Sequence, residues 1–307
     1  FTMSAINRLL IGLDLTENDH QLIEYAAFLA ERLQVQEVYF IHVIQQDDDE
    51  LDEELLETHP ELHKPLEDTL SESMQKVIDE HFAYQDCAPK LELKAGNVTD
   101  ALLTWTRYLE PDLLLMGMKN SPDDYSKTPA NVARLINRPM MLVPPSRSLR
   151  IKKVVIAVDF SKYTYECIQE VRQMVNPSEQ HIILAHAYKL PTGYHRSGKS
   201  DTEFHQIMIN NARKKLQTFC EECEVESDDL EMQEIYARES KAEAIAQHAM
   251  EINADLLVMG SRGRTQIAEF LMGSTAARFI NLHLDLPLLI VKDRKGNFDF
   301  LDALRNL

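Results

Sequence analysis

Hydrophobic residues along this chain gather in short unbroken runs rather than alternating with polar ones. Residues 8–14 and 153–159 each read as a buried strand closing on an aspartate, Asp14 and Asp159. Residues 38–43 and 181–187 read as second strands that carry His42 and His186. Residues 111–117 and 254–260, and then 139–143 and 287–291, supply two further pairs of runs. Between them lie stretches with apolar positions at helical spacing, such as residues 22–33 and 242–251. Strands that are apolar throughout and separated by helices predict parallel sheets covered on both faces.

The runs repeat in order. Asp14 and Asp159 are 145 positions apart and His42 and His186 are 144 apart, so the register holds and the chain is two homologous halves. Third strands are expected at Lys90–Ala95 and Leu230–Tyr236. The run Pro144-Pro145-Ser146-Arg147-Ser148 is the natural linker. The expected division is residues 1–147 and residues 148–307.

The strongest chemical signal is Leu257-Val258-Met259-Gly260-Ser261-Arg262-Gly263, followed nine residues later by Gly273-Ser274-Thr275-Ala276. Glycines at a strand end let the backbone come close to an anion, and a helix opening near Gly273, capped by Ser274, directs free N–H groups at it. The expected guest is a nucleotide. A Walker loop would need a Gly-Lys-Ser/Thr ending, and a dinucleotide fold would need more closely spaced glycines; neither is present.

Gly260, two residues, Gly263, nine residues, and Gly273-Ser274 together resemble the ATP-binding fingerprint of the nucleotide-binding universal stress proteins. That resemblance, with right-handed crossovers, implies two doubly wound five-stranded sheets of order 3-2-1-4-5, of the adenine nucleotide alpha hydrolase-like α/β type. It also implies a tandem chain arranged as an intramolecular pseudo-dimer, in which the last strands of the halves cover one another's edges. Carried over position by position, it implies that Ala157, Val158 and Asp159 line the adenosine pocket and that Ala187 lies beside adenine. Met259, Gly260, Arg262, Gly263, Gly273, Ser274 and Thr275 then form the phosphate loop. Arg264 is a further cation near it. The implied ligand is ATP, ADP or AMP, with Asp159 the carboxylate that could approach Mg2+. One departure is that the glycine following the third strand, kept as Gly96 in the first half, is replaced near Arg238 in the second.

The first half lacks the loop. From Gly117 to Pro139 is 22 positions, against 27 from Gly260 to Pro287, so the shortfall falls on the phosphate-binding segment. Residues 118–129 carry two prolines that cannot donate, Pro122 and Pro129, and adjacent carboxylates, Asp123 and Asp124. No ATP is expected there; a smaller or different ligand remains open to it.

Charge follows the same division. Residues 1–150 hold 13 Lys+Arg against 27 Asp+Glu, net −14, and residues 151–307 hold 19 against 23, net −4. Much of the acidity is in residues 47–57, which read as a solvated loop. A total of −18 argues against nucleic-acid backbone binding and against a lipid surface. No run approaches the roughly 18 apolar residues of a membrane helix, and a secretory leader's charged, apolar, small-residue order is missing at the start. A soluble cytoplasmic protein is expected.

Four cysteines are too few for a disulfide scaffold, and Cys220-Glu221-Glu222-Cys223 has no second pair to complete a zinc site, so surface thiols at a helix end are expected. His42 and His186 read as satisfied near-core histidines and Trp105 as helix packing. No nucleophile and base are adjacent in sequence. The resulting reading is an adenine-nucleotide-binding stress-response or signalling protein, with the nucleotide in the second half. A slow ATPase and a nucleotide-independent scaffold are the alternatives. Residues 297–307, apolar at helical spacing, suit packing across the other half or homodimer formation.

Overall fold

The computed structural model describes residues 6–44, 63–118, 128–145, 148–175, 181–226, 230–262, 272–282 and 284–292. The chain divides into two compact units, Phe1–Leu149 and Arg150–Leu307.

The first unit alternates strands and helices: β1 (Arg8–Leu13), α1 (Asp19–Leu33), β2 (Glu37–Ile44), α2 (His63–His81), β3 (Lys90–Ala95), α3 (Val98–Leu109), β4 (Leu113–Gly117), α4 (Thr128–Leu135) and β5 (Met140–Val143). Its strands lie in the order β3-β2-β1-β4-β5, and the pairings are parallel. The order reverses at β1, which sits between β2 and β4.

The second unit repeats this with β6 (Lys153–Ala157), α5 (Lys162–Met174), β7 (His181–Tyr188), α6 (Asp201–Cys223), β8 (Leu230–Tyr236), α7 (Lys241–Glu251), β9 (Leu256–Gly260), α8 (Ser274–Ile280) and β10 (Leu288–Val291). Its order is β8-β7-β6-β9-β10, again parallel, so both sheets have the expected arrangement.

Unbroken apolar runs form these strands because the central ones have no solvent face. Leu9, Leu10, Ile11 and Leu113 to Leu115 are fully buried in the first unit, as are Val154 to Ile156 and Leu256 to Val258 in the second. By contrast β3 and β8 mix polar and apolar residues and are only partly covered. Helix α1 turns Leu22, Ile23, Ala26, Leu29 and Ala30 inward, the i, i+3, i+4 set that an amphipathic helix presents to a sheet.

An aspartate fastens the start of the first strand in each unit. Asp112 Oδ2 accepts the N–H groups of Asn7 at 2.8 Å and Arg8 at 3.0 Å. Asp255 Oδ2 accepts those of Lys152 at 3.0 Å and Lys153 at 2.9 Å. Both aspartates precede a central strand, so they join β1 to β4 and β6 to β9 at the end of the sheet away from the switch point.

Candidate functional site

The turn from β6 into α5 builds one wall of the site. Asp159 follows the strand, and its Oδ1 accepts the Ser161 N–H at 3.1 Å and the Thr164 hydroxyl at 3.2 Å. Thr164 Oγ1 also receives the Asp159 N–H at 3.3 Å. Phe160 between them has φ +59°, a left-handed conformation that the surrounding hydrogen bonds hold in place.

His186 supports this turn from β7. Its Nδ1 lies 3.1 Å from the Val158 carbonyl oxygen. Because a carbonyl only accepts, Nδ1 carries the proton and donates. The ring also lies 4.7 Å from that of Phe160. His42 does the same in the first unit, 3.0 Å from the Leu13 carbonyl, so both histidines are satisfied structural groups there.

The opposite wall comes from the end of β9. A Cβ added to Gly260 would stand 2.9 Å from Tyr163 Cβ and 3.3 Å from the Arg262 carbonyl oxygen. Glycine is required there because α5 packs directly on the backbone, a reason separate from the close approach to an anion that the sequence suggested. Gly117, its counterpart, has nothing within 4 Å of the same point. Arg262 Nη1 reaches the Tyr163 hydroxyl at 3.5 Å. Lys292, partly buried, feels both burial and, second, repulsion from Arg262, which push its amine down to about 8.

The chain re-enters at Gly273, whose N–H donates to the Ser261 carbonyl at 2.9 Å. Gly273 is the N-cap of α8, with φ −59° and ψ 145° and no side-chain cap bond. Ser274, expected as the cap, is instead the first helical residue, since Gly273 already supplies the extended backbone that a cap needs. Gly263 and Arg264 lie outside the described residues, as do residues 119–127 in the first unit, the acidic residues 47–57 and residues 297–307.

Together these walls enclose a cavity of about 330 Å³ at the carboxyl ends of β6, β7 and β9. The site residues expected from sequence line it: Ala157, Val158 and Asp159 on one side, Ala187 at its back, and Met259, Gly260, Arg262, Gly273, Ser274 and Thr275 on the other. Sequence reasoning missed Tyr163, Thr164 and Lys241. Thr164 and Tyr163 follow Asp159 on an ordinary amphipathic helix start, with no local signal of their position. Lys241 was detectable in part, because Ser240-Lys241-Ala242-Glu243 is a helix-opening pattern. Ser240 Oγ accepts the Glu243 N–H at 3.3 Å.

The glycine lost after β8 has a structural explanation. Gly96 and Ala237 occupy equivalent places: each donates its N–H to the neighbouring strand, to the Ile44 carbonyl at 3.0 Å and the Tyr188 carbonyl at 2.8 Å. Gly96 alone separates that point from the N-cap Asn97, and it takes φ +130°. Ala237, Arg238 and Glu239 make the same turn before the N-cap Ser240 without a positive φ. Two added residues remove the need for glycine.

In the first unit the equivalent of Thr164 is Asp19. It accepts the Asp14 N–H at 3.3 Å and the Leu15 N–H at 2.8 Å. Burial and the adjacent Asp14 charge push its carboxyl up to about 7. Asp19 borders a separate cavity of about 300 Å³ between α1 and α2, with Leu13, Leu15, His20, Met74 and His81.

All four cysteines are free, Cys87 and Cys167 buried and Cys220 and Cys223 partly exposed. Cys223 is the last residue of α6. Among the described residues no group of three or more His, Cys, Asp or Glu could hold a metal ion, and no helix is long and apolar enough to cross a membrane.

With this geometry in hand, comparisons with known proteins are informative. The family model for the universal stress protein family matches residues 5–144 and again residues 150–292. A universal stress protein of Methanocaldococcus jannaschii is 25% identical over 162 residues, covering 48% of this chain and 99% of that protein. A solved universal stress protein from Archaeoglobus fulgidus, 18% identical with a TM-score of 0.62, covers 94% of this chain and 99% of its own. A solved protein of unknown function from Pseudomonas aeruginosa PAO1, 15% identical with a TM-score of 0.64, covers 98% of each chain. These last two share the fold.

Proposed function

Because the chain belongs to the universal stress protein family, with the family model matched in each half, we propose that its second unit is an adenine-nucleotide-binding module serving stress response or signalling. The observation that carries this reading is the second unit's cavity of about 330 Å³, ringed by the residues that the glycine fingerprint nominated. Its size falls at the lower end of the roughly 300–1,000 Å³ typical of small-molecule sites.

The residues divide the work. Asp159, already fixed through Oδ1 by Ser161 and Thr164, accepts ribose hydroxyls. Ala187 presents backbone to the base. Gly260, Gly273, Ser274 and Thr275 approach the phosphates closely, and Arg262 offsets their charge. Gly263 belongs to the same loop in this reading. Bound nucleotide supplies a polyphosphate that signals its own presence. Asp159 is the carboxylate nearest to a role toward Mg2+, but with its Oδ1 doubly engaged it acts here as a hydroxyl acceptor. The first unit, lacking the loop, takes no ATP at the equivalent place. The cytoplasm is the expected compartment.

ATP at a hundredfold excess over its dissociation constant should stabilise the protein by about 2.7 kcal/mol, and Gly273→Asp should abolish the shift. Failure of ATP to raise the unfolding temperature would overturn the reading and favour a nucleotide-independent scaffold. Turnover of ATP well above the Gly273→Asp background would favour an ATPase.

A further inference from the structure

Resting on that nucleotide reading, we propose that Lys241 is the charge-selecting residue of the second unit's cavity. It makes the site rank adenine nucleotides by ionised phosphate, polyphosphates above the monophosphate and the monophosphate above adenosine.

Three observations converge on Lys241. It lines the cavity and is itself exposed, as a residue at the mouth would be. Its place is fixed by two ties. Ser240 caps the helix that Lys241 opens, and Glu243, two residues on, accepts a hydrogen bond from Arg278 Nε of α8 at 2.9 Å. The first turn of α7 is thereby held beside α8, whose Ser274 and Thr275 also line the cavity. The turn leading in is anchored as well, since the Lys189 amine donates to the Glu239 carbonyl.

The second observation is a contrast between the units. Asn97 and Ser240 are equivalent N-caps, each accepting the N–H three residues on. The next residue is Val98 in the first unit and Lys241 in the second. The unit without the glycine loop thus also lacks the cation, and the longer turn at residues 237–239 belongs to the unit that has both.

The third is the charge of the cavity wall. Its ionised side chains among the described lining residues are Lys241 and Arg262 against Asp159. Two cationic side chains against one carboxylate leave these lining residues with an excess of positive charge. The amino end of α7, eleven residues long, adds to the same field. A cationic wall of this kind discriminates by ligand charge, because each added phosphate increases attraction while the nucleoside part is unchanged.

The test is calorimetric titration of the full-length protein with ATP, ADP, AMP and adenosine in EDTA, repeated with K241A and K241R. K241A is expected to weaken ATP about tenfold and adenosine less than about twofold, and to flatten the dependence of ATP affinity on salt. K241R should keep the ranking. Unliganded unfolding temperatures of both variants should match the wild type, as expected for an exposed position. Equal weakening of ATP and adenosine, or unchanged ATP affinity in K241A, would overturn the assignment while leaving nucleotide binding intact. Absence of binding of any of the four to the wild type would overturn both.

Discussion

Asp159 and Thr164 close a two-way hydrogen bond across the turn that opens α5: the threonine hydroxyl receives the Asp159 N–H and donates to Asp159 Oδ1. The first unit makes the same turn with Asp19 in place of the threonine, so two carboxylates, Asp14 and Asp19, share a site where the second unit has one. That exchange gives Asp159 an uncharged partner, and it makes the first unit sensitive to pH.

The consequence for Asp19 has a definite sign. Its folded pKa, about 7, lies above the unfolded value of a carboxyl, so the folded state binds the extra proton between roughly pH 4 and 7. Its stabilising contribution is therefore complete below about pH 4 and lost as pH rises through 7. Chemical unfolding of wild type and Asp19→Asn should show a stability difference that turns against wild type by on the order of 3 kcal/mol between pH 4 and 8. A difference that is flat with pH would contradict the buried carboxylate pair.

Gly260→Ala should destabilise the second unit by about 1–3 kcal/mol, because the new methyl meets Tyr163 Cβ at 2.9 Å. Tyr163→Ala should not rescue it, since the obstructing atom is Cβ itself. Gly117→Ala, with open space at the same point, should be nearly silent. Urea midpoints of the four variants, including the double one, check this.

Asp255→Ala should cost about 2 kcal/mol, since it leaves the N–H groups of Lys152 and Lys153 without their acceptor. Burial works against the charge on Asp255, but the Lys153 N–H, the Arg150 guanidinium and the Lys152 N–H hold its pKa below the ordinary value. The sign is thus opposite to that of Asp19: the contribution is present above about pH 4 and lost as pH falls through the folded value. Acid unfolding monitored by circular dichroism should show this loss in wild type and not in Asp255→Ala.

Leu15 and Phe160 take the same left-handed conformation, φ +60° and +59°, but differ in burial. Leu15 is half exposed, so Leu15→Gly removes strain and should stabilise by up to about 1 kcal/mol. Phe160 is buried against His186 and Phe219, so Phe160→Gly should destabilise by about 3 kcal/mol despite the relieved backbone. Thermal unfolding of the pair measures both signs.

Much of this protein is written locally. Unbroken apolar runs specify parallel buried strands because such strands have no solvent face, and the repeat of Asp14 at Asp159 and His42 at His186 divides the chain into two like halves. The glycines at 260 and 273 mark a place where backbone comes close to something, since side-chain absence is itself a local signal. Tertiary structure alone decided the rest: that Gly260 is a glycine because Tyr163 crosses it, that Thr164 and Asp19 give one turn two protonation behaviours, and that Lys241 faces the same cavity as Arg262. The first and last of these join residues distant in sequence, and the turn, though its partners are only five residues apart, takes its protonation behaviour from burial. Their energies depend on distance and burial, quantities that sequence spacing does not carry.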